Sequence, residues 1–175
     1  MMMSAQDERV ALLLGARKVL VIDDEPYTRK VIKTLLMTMG VKSIQEAPDG
    51  EAGLEIIRTF APHIVLCDWE MPGLDGPGFV RAVRSPETFP YPDVPIIMLT
   101  AHGERSRVVE AARLGINEYL LKPVSSQALQ ARMLSVITHP RKMVRKGDYY
   151  GPEPRKLSSI KPENDQSYSQ LALVD

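Results

Sequence analysis

The chain has 175 residues, and its 22 Lys or Arg balance 22 Asp or Glu, so the formal net charge is zero. Zero net charge disfavours a protein that coats nucleic acid. Hydrophobic residues make up 44% and charged residues 25%, as in globular proteins, and the length suits one domain with some additional chain. The single cysteine excludes a disulfide scaffold and a multi-cysteine metal site. No apolar run is long enough to span a bilayer, so we expect a soluble, cytoplasmic protein with no membrane partner.

Short apolar runs and helical patterns alternate through the centre of the chain. The run from Lys18 to Asp23 is too short for a helix and rich in branched residues, which predicts a buried strand. A helical stripe follows from Tyr27 to Met39, and Gly40 ends it. The alternation then repeats four times. The predicted strands are 18–23, 43–47, 63–68, 94–100 and 118–121, and the predicted helices are 26–39, 49–60, 75–84, 103–114 and 125–138.

Five strand–helix units predict an α/β fold, a parallel sheet with helices on both faces. In such sheets, ligand sites lie outside the carboxyl ends of the strands. This central domain is expected to span residues 17–138, after an N-terminal extension of residues 1–16.

The C-terminal tail, residues 139–175, differs in composition. Residues 139–161 carry seven Lys or Arg against two acids, together with three prolines. We expect this tail to have little independent fold, and it is too short for a winged-helix DNA-binding output domain. Its adjacent tyrosines, Tyr149 and Tyr150, need a surface to bury their rings. A second copy in a two-fold homodimer or a partner protein could supply that surface, and nucleic acid is disfavoured.

Polar side chains stand where the predicted strands end. The first strand ends in Asp23 and Asp24, the third in Asp68 and the fourth in Thr100, and Lys122 follows the fifth. Two acids after one strand could be only a helix cap, but all five positions share one edge of a parallel sheet. Three carboxylates there repel one another, and a hard cation such as Mg²⁺ would remove the conflict. A carboxylate in such a site can form an aspartyl-phosphate.

These motifs resemble the receiver domain of bacterial two-component response regulators. The four motifs are Val-Ile-Asp-Asp-Glu-Pro at 21–26, Val-Leu-Cys-Asp-Trp-Glu-Met-Pro-Gly-Leu-Asp-Gly at 65–76, Ile-Met-Leu-Thr-Ala at 97–101 and Glu-Tyr-Leu-Leu-Lys-Pro-Val at 118–124. The resemblance implies a flavodoxin-like, doubly wound five-stranded parallel sheet with strand order 2-1-3-4-5.

The resemblance also implies a phosphorylation site. Asp68 would accept a phosphoryl group from a phosphohistidine of a sensor kinase, with Mg²⁺ or Mn²⁺ bound. Asp24 and Asp68 would ligate the metal directly, Asp23 through water, and the main-chain carbonyl of Glu70 would be a further ligand. Thr100 would bond to the phosphoryl group and Lys122 would pair with it, and the Lys122–Pro123 peptide bond would be cis.

Other residues near these motifs have two interpretations each. Tyr119 is either a switch residue that turns inward when the threonine moves, or a core tyrosine. Glu70 and His102 either tune dephosphorylation or are solvated rim residues, and Trp69 either guards the pocket or only packs. Cys67 should point away from Asp68 by strand alternation and act as a small buried hydrophobe.

The leading hypothesis is a stand-alone receiver. Such a protein is not an enzyme with a turnover substrate, and only its own phosphorylation and autodephosphorylation are expected. Phosphate would switch the face made by the fourth helix, the fifth strand and the fifth helix of the repeating units. The kinase partner could belong to chemotaxis, a phosphorelay or phytochrome sensing, and the phosphate would signal to a downstream protein or pass on. The alternative is a phosphorylation-independent adaptor that acts through the tail.

Other catalytic classes fit less well. The phosphate-binding Gly-x-x-x-x-Gly-Lys-Ser/Thr motif and the dinucleotide-binding Gly-x-Gly-x-x-Gly motif after the first strand are both absent from the sequence. A haloacid-dehalogenase phosphatase needs a second aspartate two residues after its nucleophile, and here that position is Glu70.

Overall fold

A computed structural model describes residues 2–155, apart from the side chain of Arg105. Within this part of the chain, no helix is both long and apolar enough to cross a bilayer. The helices are α1 (Ala5–Gly15), α2 (Pro26–Thr38), α3 (Gly50–Phe60), α4 (Gly76–Val83), α5 (Arg105–Leu114) and α6 (Ser126–Thr138). The strands are β1 (Lys18–Ile22), β2 (Ser43–Ala47), β3 (Ile64–Asp68), β4 (Ile96–Thr100), β5 (Glu118–Leu121), β6 (Met143–Lys146) and β7 (Tyr149–Pro152).

The first five strands form one parallel sheet in the order β2-β1-β3-β4-β5, which confirms the predicted topology. In the register of β1 with its two neighbours, Val21 lies opposite Glu46 on β2 and Leu66 on β3. Every residue of β3 and β4 is buried. Their continuous apolar runs are typical of strands covered on both faces. The carboxyl ends of all five strands therefore lie at one edge of the sheet.

Local capping explains where the helices begin and end. The Asp49 carboxylate accepts a hydrogen bond from the Ala52 N–H at 2.8 Å, and the Ser125 hydroxyl accepts one from the Ala128 N–H at 3.1 Å. These bonds satisfy N–H groups that have no partner in the first helical turn. Gly115 ends α5 with a φ of 94°, in the left-handed region that favours glycine. Each predicted helix and strand is present, and its bounds differ by two residues at most.

The N-terminal extension contains a helix that the sequence patterns did not reveal. Ser4 and Asp7 form a reciprocal capping box, in which each side chain accepts a hydrogen bond from the other residue's N–H. Val10 and Leu14 are buried one turn apart, and α1 packs against α6. The extension therefore contributes side chains to the core of the domain.

The expectation that the tail has little independent fold is wrong for residues 139–155. β6 and β7 pair antiparallel, with Arg145 opposite Tyr150. The Tyr149 hydroxyl donates to the Pro152 carbonyl at 2.6 Å, and the Tyr150 hydroxyl donates to the Asp93 carboxylate. The tyrosines thus find their surface within the same chain, so composition alone misjudged the segment. The remainder of the predicted tail lies outside the described residues.

Candidate phosphorylation site

The structure brings together the five polar residues predicted at the strand ends. Asp23 and Asp24 follow β1, Asp68 ends β3 and Thr100 ends β4. Lys122 follows β5, and its Nζ lies 2.8 Å from Asp23 Oδ2 and 2.9 Å from Asp68 Oδ1. The ammonium therefore bridges two carboxylates that belong to neighbouring strands. The Lys122–Pro123 peptide bond is cis.

The carboxylates of Asp23, Asp24 and Asp68 form a cluster of oxygen donors. One oxygen of each residue lies within 4.8 Å of the others. Asp23 and Asp68 are buried, whereas Asp24 is exposed, so the cluster opens to solvent on one side. The Glu25 N–H donates to Asp23 Oδ1 at 2.9 Å and fixes that side chain. Carboxylate oxygens with an open side suit Mg²⁺, which keeps several waters of its own, so these residues fit the predicted ion.

Burial and neighbouring charges set the protonation of this cluster. Burial raises the pKa of the Asp68 carboxyl, and the negative charges of Asp23 and Asp24 add to that effect, while Lys122 opposes it. Burial lowers the pKa of Lys122, but its hydrogen bonds to Asp23 and Asp68 outweigh burial and leave that pKa above its ordinary value. Lys122 therefore stays charged and partly neutralises the negative charge of the neighbouring carboxylates.

A second set of contacts surrounds Thr100, which is buried. Its Oγ1 accepts a hydrogen bond from the His102 N–H at 3.1 Å. The His102 ring lies between two acids, with Nε2 3.0 Å from Glu70 Oε1 and Nδ1 3.7 Å from Glu104 Oε1. Tyr119 is fully buried, and its hydroxyl donates to the His102 carbonyl. His102 thus links the loops after β3 and β4 to the middle of β5.

The neighbours of Asp68 in the sequence have different surroundings. Trp69 is buried, and the Arg107 guanidinium lies over its ring, 5.5 Å from the centroid. Cys67 is buried, and the pKa of its thiol is raised well above the ordinary value, first by burial and then by nearby carboxylates. A thiol of this kind is an inert hydrophobe, as the sequence predicted.

A groove of about 570 Å³ opens beside the carboxylates. Its walls are formed by Asp24, Trp69, Glu70, Met71, Pro72, Asp75 and Arg107. Arg107 has no signature in the sequence, because no motif marks one arginine within an ordinary helical pattern. The lining of the groove carries acidic side chains and the basic side chain of Arg107.

Comparison with known proteins agrees with this geometry. The family model of the response regulator receiver domain matches residues 19–134. The chain belongs to this family. A relative, the chemotaxis protein CheY of Pseudomonas aeruginosa, is 35% identical over 116 residues, which are 66% of this chain and 92% of that protein. The probable chemotaxis protein CheY of Rhizobium etli is 39% identical over 120 residues, 68% of this chain and 91% of that protein.

The receiver fold also appears among solved structures. A putative response regulator from Chloroflexus aurantiacus matches with a TM-score of 0.65 and 30% identity, over 70% of this chain and 98% of that chain. The protein is therefore a CheY-like receiver, a signalling protein rather than an enzyme with a turnover substrate. As a family, receivers act with histidine kinases and downstream targets and bind Mg²⁺ at an acidic pocket. In this chain, Asp23, Asp24 and Asp68 form an acidic cluster that could hold a metal ion.

Proposed function

We propose that Asp68 is the phosphoacceptor of this receiver and that the reaction depends on Mg²⁺ or Mn²⁺. The observation that carries the proposal is the position of Lys122 Nζ, within 2.9 Å of both Asp23 and Asp68 at the edge where Thr100 also ends its strand. A carboxylate oxygen of Asp68 attacks phosphorus, and the bond from phosphorus to the donor's imidazole nitrogen breaks. The product is an aspartyl-phosphate.

Each neighbouring residue has a part in that reaction. Lys122 keeps its charge and pairs with the phosphoryl oxygens, and the Thr100 hydroxyl donates to one of them. Asp23, Asp24, Asp68 and the Glu70 carbonyl would hold the metal ion. The ion would supply positive charge between the acids and the incoming phosphoryl group. Glu70 and His102 pair with each other across the rim, and they would control access of the hydrolytic water.

The phosphoryl donor is proposed to be a phosphohistidine of a sensor histidine kinase, and the readout is the surface made by α5, β5 and α6. Tyr119 on β5 is joined through His102 to Thr100, so movement of the threonine reaches this surface. That surface would signal to a downstream protein, or the phosphate would pass on in a phosphorelay. Relatives named chemotaxis proteins favour a chemotaxis partner, and phytochrome kinases stay an alternative.

A second candidate function is an adaptor that binds partners without phosphorylation. The observation in its favour is the folded hairpin at residues 143–152, whose strand β7 packs against α5. The same hairpin weakens the case for a homodimer through this segment, because Tyr149 and Tyr150 already bond within their own chain. The intact lysine–carboxylate constellation favours the receiver reaction over an adaptor with an inert pocket.

Phosphorylation by acetyl phosphate, followed by intact mass, tests the proposal. Wild type should gain one phosphoryl group with Mg²⁺ and none with EDTA. Asp68→Asn should gain none, whereas Asp49→Asn is a matched control, because Asp49 follows β2 at the same edge and asparagine keeps its helix cap. Full labelling of Asp68→Asn would overturn the assignment. Labelling that continues in chelator would show that the acids hold no essential ion.

A further inference from the structure

Residues 139–155, called the arm below, hold the segment that leads into β5. Arg141 Nη2 donates to the main-chain carbonyl of Asn117 at 2.6 Å. The Tyr150 carbonyl packs so closely on Gly115 that a Cβ there would lie 2.6 Å from its oxygen. Two different parts of the arm thus fix the backbone within four residues of Tyr119.

The third contact of the arm is with a buried charge. Glu118 is the first residue of β5, is 1% exposed, and accepts hydrogen bonds from Arg155 and from the Ser135 hydroxyl at its Oε1. Its Oε2 has no hydrogen-bond partner among the described residues. Arg155 therefore supplies the positive charge for a carboxylate inside the domain. This arginine lies beyond residue 134, where the match to the receiver family ends.

Glu118 is next to Tyr119, whose contacts lead to the phosphorylation pocket. Tyr119 follows Glu118 directly, and its hydroxyl donates to the His102 carbonyl. The His102 N–H in turn donates to Thr100 Oγ1. A continuous line of contacts therefore runs from the arm through β5 to Thr100, which ends β4 next to the strand that ends in Asp68. Such a line can carry energetic coupling when both ends favour the same arrangement of the strand between them.

We propose that the arm is a positioning element for the phosphorylation pocket, and that Arg141 and Arg155 act through β5 to keep Tyr119, His102 and Thr100 in the arrangement that receives the phosphoryl group. The inference rests on the proposed function of Asp68. Because coupling is reciprocal, a phosphoryl group bound at Asp68 also strengthens the docking of the arm. The arm thus acts as an allosteric effector within the same chain. It binds at the amino end of β5, away from the proposed phosphorylation site.

Titration calorimetry with beryllofluoride, a phosphoryl analogue, and Mg²⁺ tests the proposal on the full chain. Arg155→Met and Arg141→Met should each weaken beryllofluoride binding by about fivefold or more, the lower end of ordinary allosteric coupling. Arg145→Met is the matched control, because Arg145 lies in the same arm but pairs with Glu87 and the Tyr150 ring, and not with Asn117 or Glu118 as Arg141 and Arg155 do. Its affinity should stay at the wild-type value.

A double variant separates positioning from stability. Glu118→Gln combined with Arg155→Met removes both charges, so no buried carboxylate is left without its cation, and thermal stability should recover. Its affinity for beryllofluoride should stay weakened, because the tether is still missing. Affinity restored to the wild-type value together with stability would show that Arg155 only stabilises the fold, and would overturn the proposal.

Hydrogen exchange gives the reciprocal measurement. Beryllofluoride should slow amide exchange in peptides from residues 140–155 of the wild type, and unchanged exchange there despite saturation of the site would refute the coupling. A wild type that binds no beryllofluoride would reject the function proposed for Asp68 and the coupling with it. A wild type that binds it, with both arginine variants binding equally well, would reject the coupling alone.

Discussion

Leu14→Ala tests whether the N-terminal extension is part of the folded domain. Leu14 lies in α1 with none of its surface exposed, and α1 packs against α6. In the same helix, Leu12 is 81% exposed. Leu12→Ala is therefore a matched control, because it is the same chemical change in the same helix without loss of packing.

The expected loss follows from what alanine removes. Three carbon atoms leave a fully buried site, at about 0.8 kcal/mol for each methylene. The cavity that remains adds to this, so Leu14→Ala should lower the free energy of unfolding by about 3 kcal/mol, within the range of about 2–5 kcal/mol for buried leucines. Leu12→Ala should change it by less than about 0.5 kcal/mol.

Thermal and urea unfolding followed by circular dichroism measure both variants. For a domain of this size, Leu14→Ala should lower Tm by roughly 6–12 °C, and well below Tm it should still be phosphorylated like wild type, since α1 leads into the amino end of β1. Equal stability of the two variants would refute the claim that α1 shares the core. Such a result would mean that residues 1–16 do not contribute to the folded domain.

Three further predictions concern the site and its surroundings. At a hundredfold excess over its Kd, Mg²⁺ should raise the free energy of unfolding of the wild type by about 2.7 kcal/mol and therefore raise Tm, and Asp24→Asn should abolish most of that increase in a thermal-shift titration. His63 should titrate below its ordinary pKa, because burial and then Arg17 and Lys18 disfavour the imidazolium, and NMR of Arg17→Met should show the pKa rising again. Gly115→Ala should destabilise the domain by more than about 1 kcal/mol and expose the arm to proteolysis, since its φ of 94° and the Tyr150 carbonyl both exclude a Cβ.

The sheet and the pocket were predictable because each depends on a short pattern of neighbouring residues in the sequence. Buried strands of five residues have little freedom in composition, so β3 and β4 read as unbroken apolar runs. The acids and the lysine that follow the strands need only the parallel topology to meet. Once the alternation predicts that topology, the convergence of Asp23, Asp68 and Lys122 follows without knowledge of any contact.

The groove and the rim contacts were not predictable in the same way. Arg107, in α5, lies over the ring of Trp69, which follows β3. The Glu70–His102 pair joins the loops after β3 and β4. These contacts depend on rotamers and on where two loops come to rest. Neither feature has a signature in spacing, so the sequence could name Glu70 and His102 as rim residues but could not pair them.

The two ends of the chain show where compositional reasoning fails. For α1, Ser4 and Asp7 do form a capping box, and buried Val10 and Leu14 are one turn apart, but this signal covers only three turns of helix. For the arm, five basic residues and three prolines among seventeen residues are typical of a solvated tail.

The composition of the tail does not reveal that the domain contains a buried negative charge. Glu118 is buried at the start of β5, and a buried carboxylate needs a cation from some part of the chain. The receiver segment places Ser135 beside it, and the positive charge comes from Arg155. A basic residue in a tail and an acid at the start of a core strand are thus two halves of one interaction. An unexplained acid in a predicted core strand is therefore the sequence signal to look for, because its partner can lie in a segment that composition alone would assign to solvent.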